Sequence, residues 1–133
     1  MIGLDTNVLV RYLAQDDAVQ SPIATDLLER QLSVEAPGFI SIVAMVETVW
    51  VLQRRYKVGR SALAACIARL LQADVLVVQH QPEVHAAMVD YRDRNGDFGD
   101  ALIAHLGLQA GCPRTLTFDR DALRLPGFDA PNE

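Results

Sequence analysis

Acidic residues stand at the ends of short apolar segments in this sequence. Asp5 closes the apolar run 1–4, and Asp119 follows the run 115–118. Both runs are too short for helices and are flanked as buried strands are. Because functional groups collect beyond the carboxyl ends of parallel strands, we expect these two carboxylates to face one crevice. Either acid alone is also typical of a helix N-cap or an Asx-turn, so only their joint placement favours chemistry.

Glu47 is the most informative acid because it lies within an apolar stretch, residues 39–52. On a helix its face is shared with three apolar side chains, Val43, Trp50 and Val51. An ionised carboxylate against such a face costs several kcal/mol unless a cation or strong donors compensate. Two partners could offset the cost of placing the Glu47 carboxylate there. One is an ion pair with Arg11 or Arg54, and the other is a divalent metal ion, which prefers oxygen ligands where further acids converge.

Two further carboxylates, Asp97 and Asp100, stand three residues apart where a helix is predicted to start. In one interpretation Asp97 is the N-cap and Asp100 is the third helical residue, which forms a capping-box-like pair that suits the helix dipole. In the other, Asp100 is a metal ligand. The apolar residues 101–103 that follow would anchor the helix and hold the Asp100 carboxylate rigidly.

The elements that would position these acids alternate along the chain. Strands are predicted at residues 1–4, 39–42, 75–79 and 115–118. Helices are predicted after Asp5-Thr6-Asn7, after the N-cap Ser21 and Pro22, and over residues 43–56, 61–72, 82–94 and 99–110. Breaks are predicted at Pro37-Gly38, at Asn95-Gly96 and at Gly111. Short strands that alternate with longer helices predict a mainly parallel sheet covered on both faces.

Length and composition favour one folded domain. Because a domain typically has about 150 residues, the chain, residues 1–133, is predicted to be a single domain. Its sequence contains no internal repeat and no linker-like segment. Half of the residues are apolar (50%), which excludes a disordered tail. A net charge of −5 argues against a protein that holds nucleic acid through a broad basic surface, but it leaves nucleic acid open as a substrate.

The chain has no sequence pattern of a membrane protein. The longest wholly apolar run, residues 62–68, is far shorter than the ~20 residues of a membrane-spanning helix. No basic leader precedes the first apolar run. Cys66 and Cys112 match no paired ligand spacing, which predicts small buried thiols. We therefore expect a reduced cytoplasmic protein.

Four blocks in order give the chain a resemblance to a known family. They are Leu4-Asp5-Thr6-Asn7, Glu47 in its apolar helix, Asp100-Ala101-Leu102-Ile103-Ala104, and Thr115-Leu116-Thr117-Phe118-Asp119. This order resembles PIN-domain nucleases and, more narrowly, the VapC-type ribonuclease toxins of type II toxin–antitoxin systems. The resemblance covers essentially the whole chain.

The resemblance implies a PIN-like three-layer α/β/α fold with a central, mainly parallel sheet flanked by helices. It implies cleavage of RNA phosphodiester bonds that depends on one or two Mg²⁺ or Mn²⁺ ions. The residues that match the catalytic and metal-binding quartet are Asp5, Glu47, Asp100 and Asp119. Those that match its supporting polar residues are Thr6, Asn7 and Thr117. Asp97 and Asp121 stay open as further ligands.

The resemblance also implies partners. They are an RNA substrate, a small cognate antitoxin protein and a second copy of the chain in a homodimer, with a heterotetramer or larger assembly when the antitoxin is bound. Apolar helix faces around Trp50 and Leu70 are candidate contacts.

The chemistry is consistent with an acid cluster. A divalent ion lowers the pKa of bound water and neutralises charge that develops on the phosphodiester. Four carboxylates without metal would raise one another's pKa, so metal binding favours their ionised forms.

Two alternative functions remain for the chain. Phosphotransfer through an aspartyl phosphate is disfavoured because no second Asp follows two residues after Asp5 and Lys57 is poorly placed. A non-catalytic PIN-like module would bind only RNA or a partner.

The remaining polar and aromatic residues are given structural or surface roles. No ligand spacing joins the histidines, which are His80, His85 and His105. Trp50 and Tyr56 are predicted to be core or interface residues rather than base-stacking platforms. Three roles remain possible for the basic residues, which are a solvated surface, ion pairs with nearby acids, and contacts with phosphate. They are Arg54, Arg55, Lys57 and Arg60 in one patch, and Arg92, Arg94, Arg114, Arg120 and Arg124 near the predicted pocket.

Overall fold

Helices and short strands alternate in the computed structural model, which describes residues 1–131. The helices are α1 (Thr6–Ala14), α2 (Gln20–Asp26), α3 (Ile42–Arg54), α4 (Arg60–Gln72), α5 (Gln81–Asp93) and α6 (Phe98–Gln109). The strands are β1 (Ile2–Gly3), β2 (Gly38–Ile40), β3 (Leu76–Val78), β4 (Thr115–Leu116) and β5 (Phe128–Asp129). Within residues 1–131, no helix is long and apolar enough to cross a membrane. The α/β class is confirmed, and the chain divides into two units, Met1–Gln81 and Pro82–Glu133.

The first unit contains a three-stranded parallel sheet in the order β1-β2-β3. Its register pairs Ile2 with Gly38, and Gly38 with Leu76. Gly38 begins the central strand instead of breaking the chain as predicted. A Cβ at Gly38 would lie 2.8 Å from Leu4 Cδ1, so a larger residue there would have to displace the buried Leu4 side chain.

Helices α1, α2 and α3 pack together in the first unit, and α4 packs against α3 and β3. The predicted N-cap role of Ser21 is wrong, because α2 begins one residue earlier, at Gln20. Ser21 is buried, and its hydroxyl donates to the Arg11 carbonyl at 2.8 Å. Asp17 instead accepts the backbone N–H groups of Val19 and Gln20, and these bonds lower its pKa. The helix starts earlier than predicted because Asp17, upstream of Ser21, accepts free N–H groups at its N-terminal end.

The second unit contains a two-stranded parallel sheet in which β4 pairs with β5, Thr115 opposite Phe128. The strand β5 was not predicted from the sequence, and β4 ends two residues earlier than expected. Between α5 and α6, the buried rings of Tyr91 and Phe98 meet edge to face, with centroids 6.5 Å apart. The turn before α6 packs tightly, since a Cβ at Gly96 would lie 2.3 Å from the Leu125 side chain.

Asp90 is a buried acid that joins α5 to α6. Its Oδ2 lies 2.8 Å from His105 Nε2, and its Oδ1 lies 3.1 Å from Arg94 Nε. Two such partners satisfy a carboxylate that would otherwise be costly to bury. His105 therefore has a structural role as the partner of Asp90, as the sequence predicts.

Three side chains differ from the sequence expectations. Trp50, predicted for the core or an interface, is 52% exposed and so lies outside the core, while an interface role stays a prediction. Leu70, a predicted contact with a second copy, is buried inside its own unit at 3% exposure. Cys112, predicted as a buried thiol, is exposed. In each case the helix or loop turns a different side to the core than the local sequence pattern indicated.

Candidate functional site

Asp5 lies between β1 and α1 and is the N-cap of α1. Its Oδ1 accepts the Thr6 backbone N–H at 2.7 Å, so the capping alternative from the sequence holds. Oδ2 accepts no hydrogen bond from residues 1–131, and the side chain is exposed. Capping therefore fixes the orientation of the carboxylate and leaves one oxygen available for a cation.

Thr6 connects this carboxylate to Glu47. Thr6 is buried, and its hydroxyl donates to Glu47 Oε1 on α3, 41 positions further along the chain. Glu47 Oε2 accepts no hydrogen bond from the described part of the chain. One threonine thus holds two acids from separate elements, through its backbone N–H and its side-chain hydroxyl.

The expected burial of the Glu47 carboxylate is wrong. Glu47 is exposed, as are Val43 and Trp50 on the same face of α3. The face of α3 that packs inside carries five other residues, Ala44, Met45, Thr48, Val49 and Leu52. Neither proposed arginine partner pairs with Glu47. Arg11 pairs with Asp16 at 3.3 Å, and Arg54 lies over the Trp50 ring at 5.5 Å.

A cavity of about 550 Å³ opens beside Asp5 and Glu47 in the first unit. Its lining includes the predicted residues Asp5, Thr6, Asn7 and Glu47, together with Arg11, Asp16, Trp50, Arg55 and Tyr56. Hydrogen bonding to Asp16 raises the pKa of Tyr56, and Arg11 donates to Tyr56 Oη at 3.4 Å. Sequence reasoning missed the cavity. The only hint was the three-residue spacing of Glu47 and Trp50, which places them on one helical face.

In the second unit, Asp97 is the N-cap of α6. Its Oδ2 accepts the Asp100 backbone N–H at 2.9 Å, as the capping alternative predicts. The reciprocal bond of a capping box is absent among the described residues, because the Asp100 side chain does not bond back to Asp97. The Asp100 carboxylate is therefore held at the first turn of α6 without being used by the cap.

Asp119 follows β4 in a tight turn. Its backbone N–H donates to Thr117 Oγ1 at 3.0 Å, and its Oδ1 accepts the Asp121 N–H at 2.8 Å. This is the Asx-turn that the sequence left open. Asp121 also pairs with Arg124 at 2.9 Å. Thr117 and the turn together fix the position of Asp119.

Asp100 is the acid whose pKa is displaced. Partial burial raises its pKa above the usual 3.8, and the negative charges of Asp97, Asp119 and Asp121 raise it further. Acids from the start of α6 and from the turn after β4 therefore act on one another electrostatically. A bound cation would relieve this repulsion.

Ion pairs account for most of the arginines in the second unit. The pairs, with N–O distances of 2.8–3.7 Å, are Arg92–Asp93, Arg94–Asp90, Arg114–Asp129 and Arg124–Asp121. Arg120 forms no ion pair with any of residues 1–131. The ion-pair alternative thus holds for four of these side chains, and surface pairs of this kind add little stability.

The donor chemistry of these acids fits a hard divalent cation. Within residues 1–131, no three His, Cys, Asp or Glu side chains form a ready-made metal cluster. Mg²⁺, however, usually keeps several waters and binds through one or two carboxylates, and it prefers oxygen donors. Asp5 with Glu47, and Asp100 with Asp119, supply such pairs. Asp5 and Asp119 lie in different units, and their facing one crevice stays a prediction.

The structure combines parallel strands, an α/β order and carboxylates at strand and helix ends. A comparison with known families matches residues 2–127 to the PIN domain. The chain belongs to the PIN domain family, which confirms the resemblance at the level of the family. PIN domains are generally nucleases and generally use divalent metal ions. A search of curated proteins found no match.

Proposed function

We propose that the chain is a divalent-metal-dependent endoribonuclease that hydrolyses RNA phosphodiester bonds. The observation that carries the proposal is the pairing of Asp5 and Glu47, which Thr6 hydrogen-bonds beside one cavity. The repulsion from neighbouring acids that contributes to the raised pKa of Asp100 supports it. A protein that only packs or only binds a partner gains nothing from this repulsion. A nuclease does, because the same charges attract a divalent ion.

The ligands and catalytic residues in this proposal are Asp5, Glu47, Asp100 and Asp119. When bound, one or two Mg²⁺ or Mn²⁺ ions would activate water and neutralise charge on the phosphodiester. Thr6 orients Asp5 and Glu47, and Thr117 orients Asp119. Asn7 lines the same cavity as Asp5 and Glu47.

Two more acids, Asp97 and Asp121, differ in how far their carboxylate oxygens are already engaged. Asp97 is kept as a further ligand candidate because only its Oδ2 is used by the α6 cap. Asp121 is the weaker candidate because its Oδ1 already pairs with Arg124 at 2.9 Å. A metal at Asp121 would have to displace that arginine or share the carboxylate with it.

We further propose that residues 1–133 work as a single PIN-like domain and act as the toxin of a toxin–antitoxin pair in the cytoplasm. The order of the four sequence blocks, which resembles VapC-type toxins, supports this role. A small antitoxin protein and a second copy of the chain are the proposed partners, in a homodimer or a larger complex with antitoxin. A non-catalytic PIN-like module is less favoured because the acid set is complete.

The test of catalysis uses purified protein and structured RNAs, with and without Mg²⁺. We expect cleavage only with metal, and a loss of about 100-fold or more for Asp5→Asn and for Asp100→Asn, because each removes a ligand charge. Asp93→Asn is the matched control, since Asp93 is an exposed acid paired with Arg92. Cleavage without metal, or cleavage that survives both ligand substitutions, would contradict the proposal.

The toxin role needs a separate experiment. We expect induced expression of the wild-type chain to arrest growth of a bacterial host and expression of Asp5→Asn to leave growth unchanged. Sequencing RNA ends shortly after induction would identify the cleaved RNA. A growth arrest of equal strength with Asp5→Asn would separate toxicity from nuclease activity and contradict the role.

A further inference from the structure

The cavity beside Asp5 and Glu47 has a portion that the proposed metal chemistry does not use. Trp50 and Arg55 line it, and both are exposed. Trp50 is the only tryptophan of the chain. A large aromatic side chain that is 52% exposed beside a group of acids calls for a ligand-based explanation.

Trp50 is held as a platform. It lies one helical turn after Glu47 on α3, so both side chains leave the same face of the helix. The Arg54 guanidinium lies 5.5 Å from the centroid of the Trp50 ring, a cation–π distance that favours this ring orientation. An aromatic ring supported in this way can stack on the face of an unpaired base.

Arg55 supplies an uncompensated positive charge to the same cavity. No ion pair or side-chain hydrogen bond joins Arg55 to any other of residues 1–131. Arg11, the other arginine of the lining, is neutralised by Asp16 and is further bonded to Gln20 and Tyr56. Arg55 is therefore the lining residue suited to receive a phosphate.

We propose that this cavity is a subsite for one nucleotide of single-stranded RNA, with its base on Trp50 and its phosphate at Arg55. The proposal rests on the proposed nuclease function and specifies its substrate class. The volume of about 550 Å³ lies within the range of ~300–1,000 Å³ that is typical of small-molecule pockets. Stacking requires an exposed base face, which paired RNA does not present, and it tolerates any base.

The binding test uses the fluorescence of Trp50, which needs no catalysis. Uridine and adenosine 5′-monophosphates contain no phosphodiester bond, so they are suitable probes in the presence of Mg²⁺. We expect a saturable fluorescence change with either nucleotide and none with ribose 5-phosphate, which lacks a base. Arg55→Gln should weaken nucleotide binding about tenfold, whereas Arg30→Gln, a change at an exposed arginine outside the cavity lining, should not.

The activity test compares two substrates. For single-stranded RNA we expect Trp50→Ala to lower kcat/KM about tenfold, chiefly through KM, and Trp50→Phe to restore most of it. For an abasic oligoribonucleotide, which keeps the phosphodiester bonds and has no aromatic ring to stack, Trp50→Ala should change nothing. Val43→Ala is the control, because Val43 is an exposed residue of α3 outside the cavity lining.

The outcomes distinguish failure of the proposed nucleotide subsite from failure of the proposed nuclease function. A nucleotide-dependent fluorescence change in a chain that cleaves no RNA would support the subsite and contradict the proposed function. An unchanged fluorescence, together with full RNA cleavage by Trp50→Ala, would overturn the subsite and leave Trp50 as a surface for a protein partner. Equal losses of Trp50→Ala on both substrates would also overturn it, because they would show a damaged catalytic centre.

Discussion

The Thr6 hydroxyl donates a hydrogen bond to Glu47 Oε1, and the Thr6 backbone N–H donates to Asp5 Oδ1. Thr6 is itself buried, so its rotamer is set by packing. Asp5 and Glu47 are exposed, yet neither carboxylate is free to turn. In a metal centre, mutation of groups that orient the ligands in this way typically costs about 10- to 100-fold in metal affinity or activity.

Replacing the Thr6 hydroxyl should separate ligand orientation from fold. We expect Thr6→Val to weaken Mn²⁺ binding and RNA cleavage about 10- to 100-fold, because Glu47 loses its donor. Thr6→Ser keeps the hydroxyl and should retain most activity. Titration of Mn²⁺ by calorimetry, alongside cleavage rates, measures both effects. Equal activity of Thr6→Val and wild type would show that the hydrogen bond does not position Glu47.

Asp97 has a capping role that can be measured apart from any role with metal. Asp97→Ala removes the acceptor for the Asp100 N–H and should lower the free energy of unfolding by about 1 kcal/mol. Asp97→Asn keeps a capping oxygen and should cost only a few tenths of a kcal/mol. Urea denaturation measures both. If Asp97→Asn keeps stability but loses metal affinity, Asp97 joins the ligand set, and unchanged affinity removes it.

The raised pKa of Asp100 gives the metal-free protein a defined pH dependence. The folded state binds the Asp100 proton more tightly than the unfolded state, so this group contributes stability below pH 3.8. The contribution is lost as pH rises through the raised, folded-state pKa. At neutral pH we therefore expect Asp100→Asn to be slightly more stable than wild type when divalent metal is removed. Urea midpoints measured from acid to neutral pH check this, and a less stable Asp100→Asn at neutral pH would contradict it.

Thr48 carries a buried hydroxyl that has no hydrogen-bond partner within residues 1–131. Leaving a buried polar group unsatisfied costs about 1–3 kcal/mol, and valine has nearly the same shape. We expect Thr48→Val to raise the free energy of unfolding by about 1 kcal/mol and to leave RNA cleavage unchanged. Chemical denaturation of Thr48→Val beside Thr6→Val gives a direct contrast between an unpaired and a bonded threonine. A destabilised Thr48→Val would indicate that the hydroxyl is bonded in solution.

Much of the fold could be predicted because local patterns and packing agree. The helices α3, α4, α5 and α6 begin within one residue of the predicted positions, since apolar spacing and capping residues both mark their starts. Parallel pairing of β1, β2 and β3 follows from the helices between them. The PIN family was also recognisable from the order of four short blocks.

Other features depend on contacts that the local sequence does not encode. Glu47 and Trp50 share an apolar stretch, but which face of α3 packs inside is decided by α1 and α4. The strand β5 has no apolar pattern of its own. It forms because β4 provides backbone groups for parallel hydrogen bonding. The cavity arises where Asp5 and Trp50 from separate elements meet, which no spacing rule reveals.

The parallel sheet β1-β2-β3 also sets the order of events on the folding pathway. Parallel strands cannot pair as hairpins, and Ile2 finds its partner Gly38 only after a long loop closes. Helix α1 can form from local contacts well before that closure. We therefore expect Asp5 and Glu47 to come together late in folding, so that a nascent or partly refolded chain holds no working pair of acids. The proposed nuclease would therefore be inactive until its fold is nearly complete.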